Sequence, residues 1–531
     1  LEGRSINLIK KTSMPEPFKK IILFALIAFG VVLSANLFIY LWEILAILGL
    51  TIKMLPLLAY FIIYITLQAF FVWYLYCHFK KGNIPKAPPG LKVDVFVTAY
   101  NEPMWIVRRA LHAAKHITYP HWTYLLDDSP DEKYKSLADD LNTKYLTREG
   151  NLHYKAGNIN AALKRTSGEF VAIFDIDHAP EPEFLDRTLG FFDDKGIGFV
   201  QVMETFCNAD DNVIAAASVQ TAVEYFNITA VCKDKVGATS LHGTNAVIRR
   251  KALETIDGYH PGLAEDLETS LDLHAKGWKS AYVCEPIAPG LSPASFIAFC
   301  KQQLKWSKGV FEAACRTFFD GTFFQLTLHQ MLAYSVRFSY YSVGLSFFLG
   351  MCITLLHLFK SDALVYEGFL ARLIPLTALI VIIRWFMLKT WGTEPVARKG
   401  VHFKGISLIL STWPIYLFSL ICTLVRIRIP FISTPKDASV KTRLWAILPQ
   451  IGMILALIMG IIWKILHWEQ NPAPLTLLFG FLLILQQWIL AVPIGQLLKR
   501  RRVHGFEDKS LQPEFRVSSV AEKSDLEMDS S

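Results

Sequence analysis

Seven apolar runs, each near the ~20 residues a helix needs to cross a bilayer, are split by a stretch of ordinary globular sequence. Two, near 20–42 and 54–78, precede it; five, near 334–358, 368–388, 404–425, 444–466 and 474–497, follow it. No soluble core buries that many long apolar helices, so the chain reads as a membrane domain with a globular domain, residues 90–290 and their flanks, set into it. Composition agrees: of 531 residues, 52% are hydrophobic and 19% charged, and the mean hydropathy is +0.32. Such a chain is too oily for an ordinary soluble enzyme.

Topology follows from charge. Lys/Arg clusters stand at 10–20, 80–92, 398–404, 426–443 and 499–502, whereas the connections around 43–53, 359–367 and 467–473 are short and charge-poor. Positive-inside topology puts every cluster in the cytoplasm. The 404–425 run has basic clusters at both ends, so it is read as interfacial or re-entrant. Six crossings remain, two before the globular domain and four after it, with both termini and that domain cytoplasmic and the chain in the inner or plasma membrane. The same crowding accounts for the net charge of +8, so no nucleic acid partner is expected. Eight cysteines without a C-x-x-C pair argue against a zinc knuckle or a disulfide framework. Four parts are expected: an N-terminal segment with two transmembrane helices (1–89), the globular domain with interface helices (90–320), four transmembrane helices with the interfacial segment (321–500), and a disordered tail (501–531).

Within the globular part, VDVFVTA (93–99) reads as a strand ending at Tyr100-Asn101-Glu102-Pro103, with an amphipathic helix over 104–115. Residues 122–126 repeat the pattern into Asp127-Asp128-Ser129-Pro130, with a helix over 131–141; Gly157-Asn158 is read as opening a helix through Lys164. A further strand, within EFVAIFDIDHAPEPEFL (169–185), ends in Asp175 and Asp177. Alternating strands and helices predict an α/β domain with a largely parallel sheet, whose ligands sit beyond the carboxyl ends of its strands. That rule gathers Tyr100 to Glu102, Asp127 with Asp128, and Asp175 with Asp177 at one edge. So many carboxylates repel one another, and either a divalent cation or an extensive donor network must compensate. Oxygen-only ligation suits Mg²⁺ or Mn²⁺. Lys155, expected just before a helix start rich in free N–H groups, suits a pyrophosphate.

These residues, with HYKAGNINAAL (153–163), Ala264-Glu265-Asp266, Gln302-Gln303-Leu304-Lys305-Trp306 and FISTPK (431–436), resemble the processive family 2 glycosyltransferases of the cellulose synthase type, over residues 90 to 440 and in the family's motif order. The resemblance implies a GT-A domain inserted in an α-helical multi-pass membrane domain. It implies a UDP-sugar donor, Mg²⁺ or Mn²⁺, inversion at the anomeric carbon, and export of a growing polysaccharide acceptor through the helices, in contact with membrane lipid. Homo-oligomers or accessory export proteins are compatible with it. By the same resemblance Tyr100, Glu102, Asp127, Lys155, Asp175 and Lys436 hold the donor, and Asp175 and Asp177 the metal. Asp266 is the general base, with Glu265 beside it. His242, Gly243, Gln302, Lys305, Trp306 and Glu204 meet the acceptor, and 431–436 is a gating loop.

Three positions depart from the family pattern: Ala264 stands for Thr, Lys305 for Arg and Ser129 for Gly. A point-charge ammonium cannot reproduce a planar guanidinium fork, so acceptor orientation should differ, which favours a β-glucan linkage other than β-1,4, such as the β-1,3 linkage of curdlan synthases. Another polysaccharide made from UDP-GlcNAc or another UDP-sugar, or a single-transfer lipid glycosyltransferase, is the alternative. A transporter or receptor would need ionisable residues inside its helices, and these are sparse: Glu43, His329, Arg337 and Arg384. The residues after Lys499 are too few for the cyclic-dinucleotide-sensing PilZ domain of bacterial cellulose synthases, so regulation by that route is not expected.

Overall fold

The computed structural model describes residues 14–48, 55–359, 363–429, 444–469 and 472–502. The 431–436 segment with Lys436 and the tail beyond 502 lie outside these residues. Two apolar helices come first, α1 (Glu16–Leu48) and α2 (Leu55–Cys77). The α/β domain then runs β1 (Val93–Ala99), α3 (Met104–Lys115), β2 (Trp122–Asp127), α4 (Glu132–Asp140), β3 (Lys144–Thr147), α5 (Tyr154–Leu163), β4 (Phe170–Asp175), β5 (Ile197–Val202) and β6 (Thr205–Phe206). It continues through α6 (Val213–Glu224), α7 (Ala230–Lys235), β7 (Ala246–Arg249), α8 (Arg250–Glu254), α9 (Glu265–Ala275), β8 (Lys279–Val283) and β9 (Pro289–Gly290). The helices α10 (Phe296–Phe319), α11 (Leu328–Tyr340), α12 (Val343–Phe359), α13 (Ala363–Trp391), α14 (Phe403–Ser411), α15 (Trp413–Leu424), α16 (Leu448–Leu466), α17 (Pro474–Leu485) and α18 (Ala491–Arg502) follow.

Seven strands form one sheet in the order β3-β2-β1-β4-β7-β5-β8. All pairs are parallel except those of β7, which runs antiparallel to β4 and β5. The chain enters β7 from the edge where β4 and β5 finish, so no crossover is made and the direction reverses. Strands buried on both faces explain the near-continuous apolar runs. One face packs Val95, Val97, Phe174 and Val200 against α3 and the segment around Phe184 and Leu189; the other packs Phe96, Leu126, Ile173 and Phe199 against α5 and α8.

Among the described residues four helices are long and apolar enough to cross a membrane: Glu16–Ile44, Val365–Trp391, Leu448–Leu466 and Pro474–Leu497. Two further pairs meet that test only together, α11 with α12, bent by 52°, and α14 with α15, bent by 44°. The 404–425 run is thus two short helices rather than one rod. Gly405 of α14 packs on Gln220 of α6, and Tyr416 of α15 donates to Gln303 of α10 at 3.1 Å. This pair joins the α/β domain to the bundle.

The helix read as opening at Gly157 begins three residues earlier, at Tyr154, so Lys155 lies inside its first turn. Gly157 is in the helix for room, because a Cβ there would stand 2.1 Å from Leu152 O.

Candidate active site

Register fixes the first part of the site. Ala99 pairs with Asp127, and Thr98 pairs with Asp175, so the turns after β1, β2 and β4 emerge side by side. After β1 the chain turns through left-handed Asn101 (φ 58°). Glu102 folds back to accept from Tyr100 N at 2.5 Å, and Ser129 Oγ accepts from Asn101 N at 3.0 Å. The serine that departs from the family pattern therefore ties one turn to the next.

The carboxylates gathered here are compensated mainly by a donor network. Buried Asp127 accepts from Ser129 N and Oγ, both at 2.8 Å, Asp131 N at 2.9 Å and Tyr145 OH at 2.8 Å. Asp128 takes Arg148 in two-pronged fashion at 2.6 and 2.9 Å. Asp175 pairs with Lys155, whose Nζ also donates to Gly243 O at 2.6 Å. Burial pulls the Lys155 ammonium down in pKa, but Asp175 and then Glu265 outweigh it, and the group stands above its ordinary value.

One cavity of about 980 Å³ takes in nearly every expected residue: Tyr100, Glu102, Lys155, Asp175, Asp177, Glu204, His242, Gly243, Glu265, Asp266, Gln302, Lys305 and Trp306 all line it. Asp127 does not; Asp128 lines the cavity in its place. With four donors on its two oxygens, Asp127 holds the β2 turn together. Asp127→Asn turns one oxygen into an amine facing donors, a mismatch that costs about 1–3 kcal/mol. It should lower the melting temperature of the detergent-solubilised protein, measured by a thermal-unfolding assay.

Around Gly243 the second part of the site closes. This residue has φ +84°, and a Cβ there would lie 3.5 Å from Lys155 Nζ and 3.8 Å from both Asp266 Oδ2 and Glu265 Oε1. Glycine both permits the left-handed backbone and leaves space beside two carboxylates. Glu265 and Asp266 form the first turn of α9, whose cap, Ala264, makes no side-chain bond. Acidic groups there complement the helix dipole. Burial, then Glu265, push the Asp266 carboxyl up to about 6, against the bond from Leu267 N to its Oδ1 at 2.8 Å. Glu204 is driven well above the carboxylate range by burial, then by Asp175, Asp266 and Asp177. His242 is held well below the usual imidazole range by burial, Arg337 and Lys233, so it is neutral. Its Nε2 meets Tyr225 OH at 3.0 Å, and its Nδ1 lies 3.9 Å from Glu204 Oε1.

The residues present fit an oxygen-ligated divalent cation. Asp175 and Asp177 line the same space, and the charge they add is felt by Glu204. No group of three or more His, Cys, Asp and Glu side chains able to hold a metal exists among the described residues. A cation here would therefore need ligand oxygens from a bound diphosphate, in the manner of Mg²⁺.

Sequence reasoning missed Arg148 and Tyr145, which neutralise or satisfy the β2 turn, because neither stands in a motif; only the three-dimensional pairing of β2 with β3 brings them near.

Comparison with known proteins bears on the same stretch. Residues 88–309 match the model of glycosyltransferase like family 2. The UDP-forming cellulose synthase catalytic subunit of Xanthomonas axonopodis pv. citri is 36% identical over 231 residues, 42% of this chain and 32% of that protein. The UDP-forming cellulose synthase 1 catalytic subunit of Komagataeibacter xylinus is 33% identical over 229 residues, 41% of this chain and 31% of that protein. The match thus spans about a third of the length of these relatives. Among solved structures, a mannosyltransferase from Pyrobaculum calidifontis in complex with GDP-Man and Mn²⁺ aligns with TM-score 0.45 and 16% identity, over 70% of this chain and 99% of that one. It is accordingly the family 2 glycosyltransferases, in their cellulose synthase branch, that residues 88–309 resemble in sequence, over the same span that builds the site.

Proposed function

We propose that this chain is a membrane-embedded, inverting, processive glycosyltransferase that polymerises glucose from UDP-glucose into a linear β-glucan and passes the product into its own helices. The observation that carries the reading is the continuity of one cavity. It is lined by Asp175, Asp177, Asp266 and Trp306 and also by Tyr64 and Tyr76 of α2, Tyr340 of α11 and Thr377 of α13. A transferase that released each product to solvent would need no such extension into apolar helices.

The chemistry assigns roles. Lys155 and the edge of β4 hold the diphosphate, Asp175 and Asp177 hold the cation, and Mg²⁺ or Mn²⁺ when bound stabilises charge on the departing UDP. Asp266 takes the proton of an acceptor hydroxyl as that oxygen bonds to the anomeric carbon and the bond from that carbon to the UDP oxygen breaks. Entry from the face opposite UDP inverts the configuration. A carboxylate with its pKa near 6 suits the task, since it is ionised at neutral pH and more basic than an exposed aspartate. Trp306, partly exposed in the cavity wall, offers a flat face with one polar edge to a pyranose ring. The domain faces the cytoplasm, and the linkage is β-1,3 or β-1,4.

The test is incubation of the purified full chain with radiolabelled UDP-glucose and Mn²⁺, followed by counting of insoluble label and digestion with linkage-specific glucanases. Insoluble glucan sensitive to one glucanase is expected. Absence of polymer from UDP-glucose, UDP-GlcNAc and every other UDP-sugar tried would sink the proposal.

A further inference from the structure

Arg337 has no part in the donor site or in the base. It sits on α11, half of a bent helix pair apolar enough to enter a membrane, where a charge is expensive and is ordinarily retained for function. It lines the same cavity as Asp266. Its guanidinium carbon lies 5.7 Å from the ring centre of Tyr225 and 5.9 Å from that of Tyr341. Aromatic faces steady the cation in this way without using its N–H groups. Among the described residues no hydrogen bond or ion pair occupies the fork.

The surroundings are fixed. Tyr225 opens a π-helical turn (Tyr225–Thr229) between α6 and α7, a distortion frequent at functional sites, and its hydroxyl bonds to His242 Nε2 at 3.0 Å. Tyr341 is buried and packs on the Tyr416 ring at 5.3 Å. Asp266 is within electrostatic reach, since the Arg337 charge opposes the upward push on its carboxyl. Nearby, His242 Nδ1 is buried and has no hydrogen-bond partner among the described residues. This part of the cavity thus presents an uncommitted guanidinium and an unmet imidazole nitrogen beside the base. Burying such groups without partners is costly, so a ligand that supplies several oxygens is favoured. An anionic sugar would bring its charge against Glu265 and Asp266; a neutral pyranose supplies hydroxyl oxygens without that penalty.

We propose that Arg337 orients the acceptor: its fork donates to hydroxyl oxygens next to the attacking one on the terminal sugar, and so selects which hydroxyl meets Asp266. The inference rests on the glycosyltransferase reading above and adds to it the residue that sets regiochemistry.

The experiment uses the purified full chain with UDP-glucose and Mn²⁺. It measures UDP released, insoluble polymer, linkage by glucanase digestion, and UDP affinity by titration, for wild type, Arg337→Gln and Arg337→Lys. Failure of the wild type to make polymer from any UDP-sugar overturns the functional reading itself, and with it this proposal. With polymer from wild type, Arg337→Gln is expected to keep UDP affinity and to lose about 10- to 100-fold in polymer formed per UDP released, the range for losing a hydrogen bond to a charged group. The surplus UDP comes from water replacing a misplaced acceptor. Arg337→Lys keeps the charge without the planar fork, so it should recover part of the polymer, with mixed linkage. A merely structural role moves UDP release and polymer together and leaves linkage alone. Unchanged polymer per UDP and unchanged linkage in Arg337→Gln overturn the proposal, as does a parallel loss of UDP affinity. Should Arg337→Gln not fold, Arg337→Lys decides alone, and a wild-type ratio with wild-type linkage counts against it.

Discussion

Asp266→Asn is expected to cut sugar transfer by about 10²–10⁴-fold, the usual contribution of a general base, while UDP binding stays intact. The substitution keeps the shape of the side chain. An Asn oxygen accepts the bond that Leu267 N now makes to Oδ1 at 2.8 Å, so the first turn of α9 is preserved. What disappears is the capacity to take a proton. Donor affinity survives because Lys155, Asp175 and Asp177 are untouched, and removing one charge from a crowded wall relieves Glu204 and Glu265. Single-turnover transfer and UDP titration on the same sample check both halves. Retained turnover would remove Asp266 as the base.

A pH profile sharpens the same test. As the proposed base Asp266 must be ionised, and its carboxyl is raised to about 6 by burial and then by Glu265. Transfer should therefore be flat near neutral pH and fall about tenfold per unit as pH drops below that value. Replacing Glu265 by Gln takes away the second cause, so the midpoint should move down. A midpoint that stays fixed would place the titration on another group.

How far the sequence reaches is visible in particular residues. Val93–Ala99 and Met104–Lys115 have the bounds that periodicity predicts, because alternation and amphipathic spacing are local properties. The cluster at the sheet edge was legible too, since the carboxyl ends of parallel strands converge whatever the loops do. Gly157 misled because glycine signals a break in isolation, whereas here it admits Leu152 O. That Asp127 lies outside the cavity was not legible, because its burial depends on Tyr145, a residue 18 positions away that only the pairing of β2 with β3 brings near. Arg337 showed in the sequence only as a charge in an apolar run. Its relation to Tyr225, on a segment more than a hundred residues earlier, is a fact of tertiary structure.

Asp177→Asn should weaken the metal dependence of UDP affinity and lower transfer by roughly 100-fold or more, consistent with the several kcal/mol a cation supplies to a departing phosphate. Asp177 is the cleaner probe of the pair. Asp175 is ion-paired with Lys155, so removing its charge also releases the lysine proposed to hold the diphosphate, and the two losses would be confounded. Asp177 is buried at 4% exposure just beyond the end of β4; an amide there fills the same volume and withdraws one anionic ligand. A buried charge is also removed, so the fold should tolerate the change, and thermal unfolding would verify that. The decisive measurement is UDP affinity titrated against Mn²⁺ and Mg²⁺. The variant should need more metal to reach a given affinity, while affinity at zero metal equals that of wild type. A metal titration indistinguishable from wild type would move the cation off Asp177, and the charge balance at this edge would then rest on Lys155 and Arg148 alone.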